Sequence, residues 1–135
     1  MKLTRAASYA LHAVAYMATR KKHKEEPIAS HVIAADRKIP ERFLLKVLKP
    51  LVSAQILLSI KGPHGGYRLA RPANEITMLE VIEAVDGPIR GLAPMAHDAP
   101  EHPMNKRLDQ ICNIAADQTR KQLGKIKLSE LAVKD

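Results

Sequence analysis

The sequence contains one cysteine, Cys112, no tryptophan, one phenylalanine and three tyrosines among its 135 residues. A single cysteine excludes an intramolecular disulfide framework and a zinc site built from cysteines alone. The scarcity of aromatic rings disfavours a platform that stacks single-stranded bases, and it means that aliphatic residues and methionine build the core. No segment approaches the ~20 apolar residues that a membrane span requires, so we expect a soluble, cytoplasmic protein.

Acidic residues are scarce in the first half of the chain. Residues 1–71 contain 14 lysines and arginines but only 4 aspartates and glutamates, a net charge of +10, whereas residues 72–135 have a net charge of −2. A cationic half is typical of a protein with a polyanionic partner, and nucleic acid is favoured over a membrane surface. The shortage of carboxylates there also argues against hydrolytic acid–base chemistry, so we do not expect an enzyme.

The first half of the chain predicts three helices. Apolar residues recur at helical spacing from about Thr4 to Thr19, a second short helix ends near Arg37, and a third begins at Pro40. The third helix is predicted to end or kink at Pro50. Its predicted buried stripe is Phe43, Leu44, Val47, Leu48 and Leu51, and its predicted outer face is Glu41, Arg42, Leu45, Lys46 and Lys49. Two short helices joined by a tight turn, the second cationic outside, indicate a helix-turn-helix.

A β-hairpin is predicted after the third helix. The branched run from Ile56 to Ile60 is followed by a glycine-rich turn, residues 62–66, and by a second strand that begins at Tyr67. Lys61, Arg68 and Arg71 flank this turn and make it a cationic wing suited to phosphates or a minor groove. Beyond the wing, a capping box formed by Thr77 and Glu80 opens another helix, which Gly87 and Pro88 stop.

These elements predict a mainly α fold with a small β-hairpin wing. Residues 1–87 form a winged helix-turn-helix domain, residues 88–104 a proline-rich loop that is a possible effector region, and residues 105–135 a long dimerisation helix with a short tail. We expect a two-fold partner to cover the helix, because the preceding domain leaves little chain to do so. The residues assigned to dimerisation are Leu108, Ile111, Ala115 and Leu123.

The loop also contains a near-symmetric pair of thioether and imidazole donors, a combination that suits a soft metal such as copper. These weak candidates are Met95, His97, His102 and Met104. We favour the simpler interpretation that a proline-rich surface loop has collected polar residues, and we predict no metal site there.

Four segments carry a resemblance to a known family. They are Met1–Thr4 with Tyr9–Leu11, Ile39–Leu44, Lys61–Leu69 and Glu80–Val85. In order and content they resemble the Rrf2 family of bacterial transcriptional regulators. The resemblance implies a dimeric winged-helix protein that binds DNA as a repressor or activator. Many members of that family carry an iron–sulfur cluster, so the resemblance directs attention to the residues that would hold one here.

The chain departs from that pattern at several positions. In cluster-bearing members three cysteines follow the helix that begins near Glu80, but residues 92–106 contain none here, so we predict no cofactor. Cys112 lies within the dimer-helix stripe, and His12, where some relatives present a cluster ligand, has no thiolate near it in sequence. Gln55 replaces a glycine that often ends the recognition helix, and Leu45 stands where some relatives have a polar base-reading residue.

We therefore predict a homodimeric, sequence-specific regulator of double-stranded DNA, acting as a repressor on a dyad operator. Arg42, in the first turn of the recognition helix, is assigned to base edges. The other predicted DNA contacts are Lys46, Lys49, Lys61, His64 and Arg68. An RNA-associated or protein-interaction module with the same helix-turn-helix is the alternative, and a thiol-dependent enzyme built on Cys112 is a weaker one. The operator and the effector stay open.

Overall fold

The computed structural model describes residues 1–20, 26–93 and 101–133. Within these ranges the chain is mainly helical with one antiparallel hairpin, which confirms the predicted fold class. In chain order the elements are α1 (Arg5–Thr19), α2 (Ser30–Arg37), α3 (Glu41–Ser53), β1 (Leu57–Ile60), β2 (Gly66–Leu69), a 3₁₀ turn (Ala73–Glu75), α4 (Met78–Asp86), α5 (Pro103–Gly124) and α6 (Leu128–Leu131).

Helix α1 forms the centre of the core and packs against α3 and α4. Its inner face is rich in alanine, and the small side chains of Ala7, Ala10 and Ala13 are fully buried, which lets the neighbouring helices approach closely. The helix begins where the Thr4 hydroxyl oxygen accepts a hydrogen bond of 3.0 Å from the Ala7 N–H. The same hydroxyl donates to the Asp86 carboxylate at 2.9 Å, so one residue joins the start of α1 to the end of α4.

Helices α2 and α3 form the predicted helix-turn-helix. The turn between them is made by Lys38 in the left-handed conformation, with φ of +54°, and by the Ile39 N–H, which donates to the Ala34 carbonyl at 2.9 Å. Leu44, Val47, Leu48 and Leu51 are buried as predicted. Phe43 is not, because it falls beside the row that these four residues form at helical spacing, and its ring lies exposed.

Pro50 does not end α3, so the first of the two predicted outcomes, an end rather than a kink, is wrong. The helix continues to Ser53, and the Pro50 carbonyl accepts a hydrogen bond of 2.9 Å from the Ala54 N–H. Proline removes only one intrahelical donor, and the Lys46 carbonyl that loses its partner lies on the exposed side of the helix, where water can hydrate it. The chain then reverses at Gln55, which adopts a left-handed φ of +61° in the position where a glycine is common.

The wing is a short antiparallel hairpin. Leu57 pairs with Leu69 and Ile60 with Gly66, and the intervening tip is residues 61–65. Strand β2 is also fixed on its other side, because Ile28 and Tyr67 exchange two backbone hydrogen bonds of 2.8 Å. Gly66 makes this close approach possible, since a Cβ there would lie 2.3 Å from the Ile28 carbonyl oxygen. The wing is therefore anchored to the segment that leads into α2.

The end of the chain packs back onto its own domain. The predicted capping box of α4 is present, with Thr77 accepting from the Glu80 N–H at 3.1 Å. The Met78 N–H donates to the Ile126 carbonyl and the Leu128 N–H donates to the Ile76 carbonyl, so the segment before α6 lies along the start of α4. Leu128 is fully buried there. Helix α5 begins at Pro103, two residues before the predicted start.

Candidate nucleic-acid interface

A row of cationic side chains runs along the exposed face of α3. Arg42, Lys46 and Lys49 recur at intervals of three and four residues, opposite the buried row, and all three are exposed. Across the ranges that the structure describes, none of the three forms an ion pair with a carboxylate. Their positive charges are therefore available to a partner, and the sequence placed all three on the correct face.

The wing adds further cations beside α3, which packs against β1. Lys61 and His64 are exposed in the tip, and Arg68 is half-buried opposite Leu58 in the β ladder. Arg71 differs from them because its guanidinium donates to the Glu75 carbonyl and to the Glu80 carboxylate, both at 3.0 Å. The wing thus presents further exposed cations on a hairpin whose first strand packs against α3, while Arg71 fixes the base of the wing to α4.

A polar cluster that sequence analysis missed joins the ends of α1 and α2. The Tyr16 hydroxyl donates to the Asp36 carboxylate and accepts from Arg20, which also forms an ion pair of 3.0 Å with Asp36. The guanidinium carbons of Arg20 and Arg37 lie 4.8 and 5.3 Å from the centroid of the Tyr16 ring. The hydrogen bond from Tyr16 lowers the pKa of Asp36, and burial raises the pKa of the Tyr16 hydroxyl, as does its bond to Asp36. The cluster therefore links the end of α1 to α2 through Asp36.

Helix α5 has two different apolar faces. Leu123, assigned to dimerisation from the sequence, is 7% exposed and packs within its own chain. Ile111 and Ala115 are exposed, and Leu108 is half-buried. The assignment of these residues to dimerisation stays a prediction. Ile114, which the sequence analysis left out, is 60% exposed and widens the exposed stripe.

The inner face of α5 contacts α4 and the segment after it. Arg120 forms an ion pair of 3.4 Å with Glu83, and the Ala93 N–H donates to the Asp109 carboxylate at 3.2 Å. Gly91 lies so close to the helix that a Cβ would approach the backbone of Cys112 within 2.1 Å. Part of the predicted stripe is therefore covered by the chain itself, and Cys112 lies half-buried beside this contact.

Two of the four weak metal candidates of the loop, His102 and Met104, lie within the described residues. Met95 and His97 lie outside the described residues. His102 caps the start of α5, where its Nδ1 accepts a hydrogen bond of 3.1 Å from the Met104 N–H, and Met104 is exposed. Among the described residues no three histidines, cysteines or carboxylates come together as metal ligands would.

Comparison with known proteins places the chain in a family. The model of the Rrf2 family, described as iron-dependent transcriptional regulators, matches residues 3–134. The chain belongs to the Rrf2 family. This family consists of transcriptional regulators, so the prediction that the protein is not an enzyme is confirmed at the level of the family.

Relatives within the Rrf2 family are about 30% identical to this chain over the aligned residues. The regulator CymR of Bacillus subtilis is 31% identical over 100 residues, 74% of this chain and 71% of that protein. The regulator IscR of Cereibacter sphaeroides is 30% identical over 92 residues, 68% of this chain and 59% of its own length. Several other curated relatives are matched over only 50% to 64% of their length.

Solved structures of the Rrf2 family share the fold. The structure of CymR, named as the global cysteine regulator of B. subtilis, matches with a TM-score of 0.75 at 29% identity, covering 98% of this chain and 96% of that one. The oxidised form of CymR from Staphylococcus aureus matches with a TM-score of 0.73 at 26% identity, covering 100% and 98% of the two chains.

The iron named in the family description does not fit the residues of this Rrf2 chain. Iron–sulfur clusters are held mainly by cysteine thiolates, and Cys112 is the one cysteine in the sequence. His12, the position considered for a ligand from the first helix, is exposed on α1. Neither His12 nor Cys112 belongs to a group of three ligands within the described ranges.

Among the described residues, no helix has both the length and the hydropathy needed to cross a membrane.

Proposed function

We propose that this protein is a homodimeric, sequence-specific DNA-binding regulator that acts in the cytoplasm as a repressor. The observation that carries the proposal is the cationic row of Arg42, Lys46 and Lys49 on the exposed face of α3, which forms no ion pair with a carboxylate among the described residues. A helix of this kind fits the major groove, where its N-terminal residues reach base edges. Membership of a family of transcriptional regulators supports the same function.

Residues of the interface take different roles in this proposal. Arg42, in the first turn of α3, contacts base edges, whereas Lys46, Lys49, Lys61 and Arg68 contact phosphates and fix the orientation of the protein. His64 lies at the exposed tip of the wing and contacts the backbone there. Repression follows from occupancy, because a dimer bound across a promoter excludes other proteins from that stretch of DNA.

A second copy of the chain covers the outer face of α5 in the proposed dimer. Ile111 and Ile114 are 51% and 60% exposed, and contact with the same face of a two-fold partner removes both from water. Two-fold symmetry then places the recognition helices about one turn of DNA apart, ~34 Å, or a multiple of it. The operator is accordingly a dyad, and the region after α4 remains a candidate for an effector contact.

A mobility-shift titration tests DNA binding. The protein is used to select duplexes from a randomised pool, and the selected duplex is compared with a scrambled duplex and with a duplex RNA of the same sequence. We expect the selected DNA to bind at least a hundredfold more tightly than the other two. Arg42→Ala should relax the base preference at a cost of about 1–3 kcal/mol. Equal binding of RNA and DNA would support the RNA-associated alternative instead.

Analytical ultracentrifugation tests the dimer. We expect the protein at micromolar concentration to sediment as a dimer, and Ile114→Asp, which places a charge in the contact, to sediment as a folded monomer with weaker operator binding. Lys106→Ala, an exposed change near the start of the same helix, is the control and should remain dimeric. A wild-type protein that sediments as a monomer contradicts the proposal. A reporter gene behind the selected operator distinguishes repression from activation.

A further inference from the structure

Two large apolar side chains lie exposed near the start of α3. Phe43 is 39% exposed and Leu45 is 43% exposed, although the helix already buries a complete apolar row on its other side. Residues two positions apart in a helix point about 200° away from each other. Phe43 and Leu45 therefore lie on opposite flanks of the cationic row, with Arg42 and Lys46 between them.

Phe43 is joined to this cationic row by direct contacts. The guanidinium carbon of Arg42 lies 5.1 Å from the centroid of the Phe43 ring, and the Lys46 ammonium nitrogen lies 5.6 Å from it. Both distances are in the range of cation–π interactions. The ring thus holds two charged side chains that face the proposed DNA surface, and it presents its own apolar edge on the same surface.

The chemistry of a major groove limits what these side chains can recognise. Leu45 and Phe43 neither donate nor accept hydrogen bonds, so they cannot distinguish bases by donor and acceptor patterns. The group that distinguishes a base pair by apolar contact is the 5-methyl group of thymine. We propose that Phe43 and Leu45 are specificity-determining residues that recognise thymine methyl groups on either side of the base contacted by Arg42. This inference rests on the proposed DNA-binding function.

The size of the effect follows from the methyl group itself. Burying one methyl contributes about as much as one methylene, which corresponds to an affinity change of roughly fourfold. Deoxyuridine differs from thymidine only by that methyl group and pairs in the same way. Replacing one thymine by uracil therefore removes the proposed contact while leaving the phosphates and hydrogen-bonding edges unchanged.

A uracil scan of the selected duplex tests the proposal. Each thymine of one half-site is replaced by uracil in turn, together with its dyad mate, and binding is measured by fluorescence anisotropy. We expect about two positions at which binding falls by roughly fourfold for each methyl lost. Leu45→Ala should bind the thymine and uracil duplexes equally at one of these positions, and Phe43→Ala should do so at the other. Leu45→Met, which keeps an apolar contact, should retain sensitivity at the Leu45 position.

Matched controls separate this proposal from a general loss of fold or function. Leu92→Ala changes a leucine that is 76% exposed outside the helix-turn-helix, and it should keep the full wild-type uracil sensitivity. Circular dichroism should show unchanged melting for Leu45→Ala, because the position is exposed. If the wild-type protein selects a sequence but binds every uracil duplex as tightly as the parent, the proposal is overturned while DNA binding stands. Sensitivity that persists in both alanine variants also overturns it. A pool selection that yields no preferred sequence instead contradicts the proposed function.

Discussion

Removing Lys49 should weaken the dependence of operator binding on salt. Each lysine or arginine that neutralises a phosphate contributes about −0.9 to the slope of log affinity against log salt. The four phosphate contacts proposed for one protomer, Lys46, Lys49, Lys61 and Arg68, occur twice in a dimer, so the wild-type slope should be about −7. Between 50 and 200 mM salt the affinity should then fall by roughly 10⁴.

Lys49→Ala removes one of these contacts from each protomer, so its slope should flatten by about 1.8. The lysine is exposed and forms no ion pair among the described residues, so its loss leaves no carboxylate unpaired in the protein. The free energy of unfolding should therefore change little. The effect on DNA binding should be similar for any sequence, because phosphates carry no base information.

The measurement is an anisotropy titration of the selected duplex at five salt concentrations. Lys106→Ala removes another exposed lysine, on α5, and should leave the slope unchanged. If Lys49→Ala weakens binding by the same factor at every salt concentration, Lys49 does not neutralise a phosphate. A slope that flattens equally in the Lys106 control would show that net charge, rather than the α3 row, determines the effect.

Three further outcomes are expected. Tyr16→Phe should lower the free energy of unfolding at neutral pH, because it removes the hydrogen bond that lowers the pKa of Asp36. A lowered aspartate pKa stabilises the fold only while the carboxyl is ionised, so the difference from wild type should disappear as the pH falls through the lowered pKa of Asp36. Urea unfolding at a series of acidic pH values measures this. Gln55→Gly should raise the free energy of unfolding by about 1 kcal/mol in urea unfolding, since glycine adopts the left-handed conformation without strain. The control Gln118→Gly should lower it, because glycine within α5 weakens the helix. Anaerobically purified protein should contain no stoichiometric iron or sulfide, because the sequence has one cysteine. Stoichiometric iron with a visible absorption band that disappears in Cys112→Ser would contradict this prediction.

Local sequence patterns were sufficient for most of the fold. The capping box of Thr77 and Glu80, the spacing of Leu44, Val47, Leu48 and Leu51, and the glycine turn of the wing each depend on residues close in sequence. The exposed cationic face of α3 followed from the same periodicity, because charged residues opposite a buried row point to solvent. The predicted end of α3 was less accurate, because the helix continues through Pro50 to Ser53. The turn that follows the proline packs the fully buried Leu51, and this packing offsets the cost of proline in the helix.

The cluster of Tyr16, Arg20 and Asp36 could not be predicted in this way. Arg20 lies four residues after Tyr16, but Asp36 is on another helix, and only the packing of α2 against α1 brings its carboxylate within hydrogen-bonding distance. No sequence period connects residues on separate helices. Two of its three residues form a Tyr–Arg pair at i and i+4, and this pair is the signal that could have drawn attention to the cluster.

Helix α5 shows why periodicity identifies an apolar face but not its partner. Leu108, Ile111, Ala115 and Leu123 satisfy one helical spacing rule, yet Leu123 is covered by its own chain and Ile111 is not. The difference arises because the tail turns back at Lys125 and pairs with the start of α4, which closes the C-terminal end of the helix. Ile111 and Ile114 lie further from that contact and stay exposed. In the proposed dimer, a second copy of the chain would therefore contact only the middle of α5, and that is where a charged substitution tests the proposal.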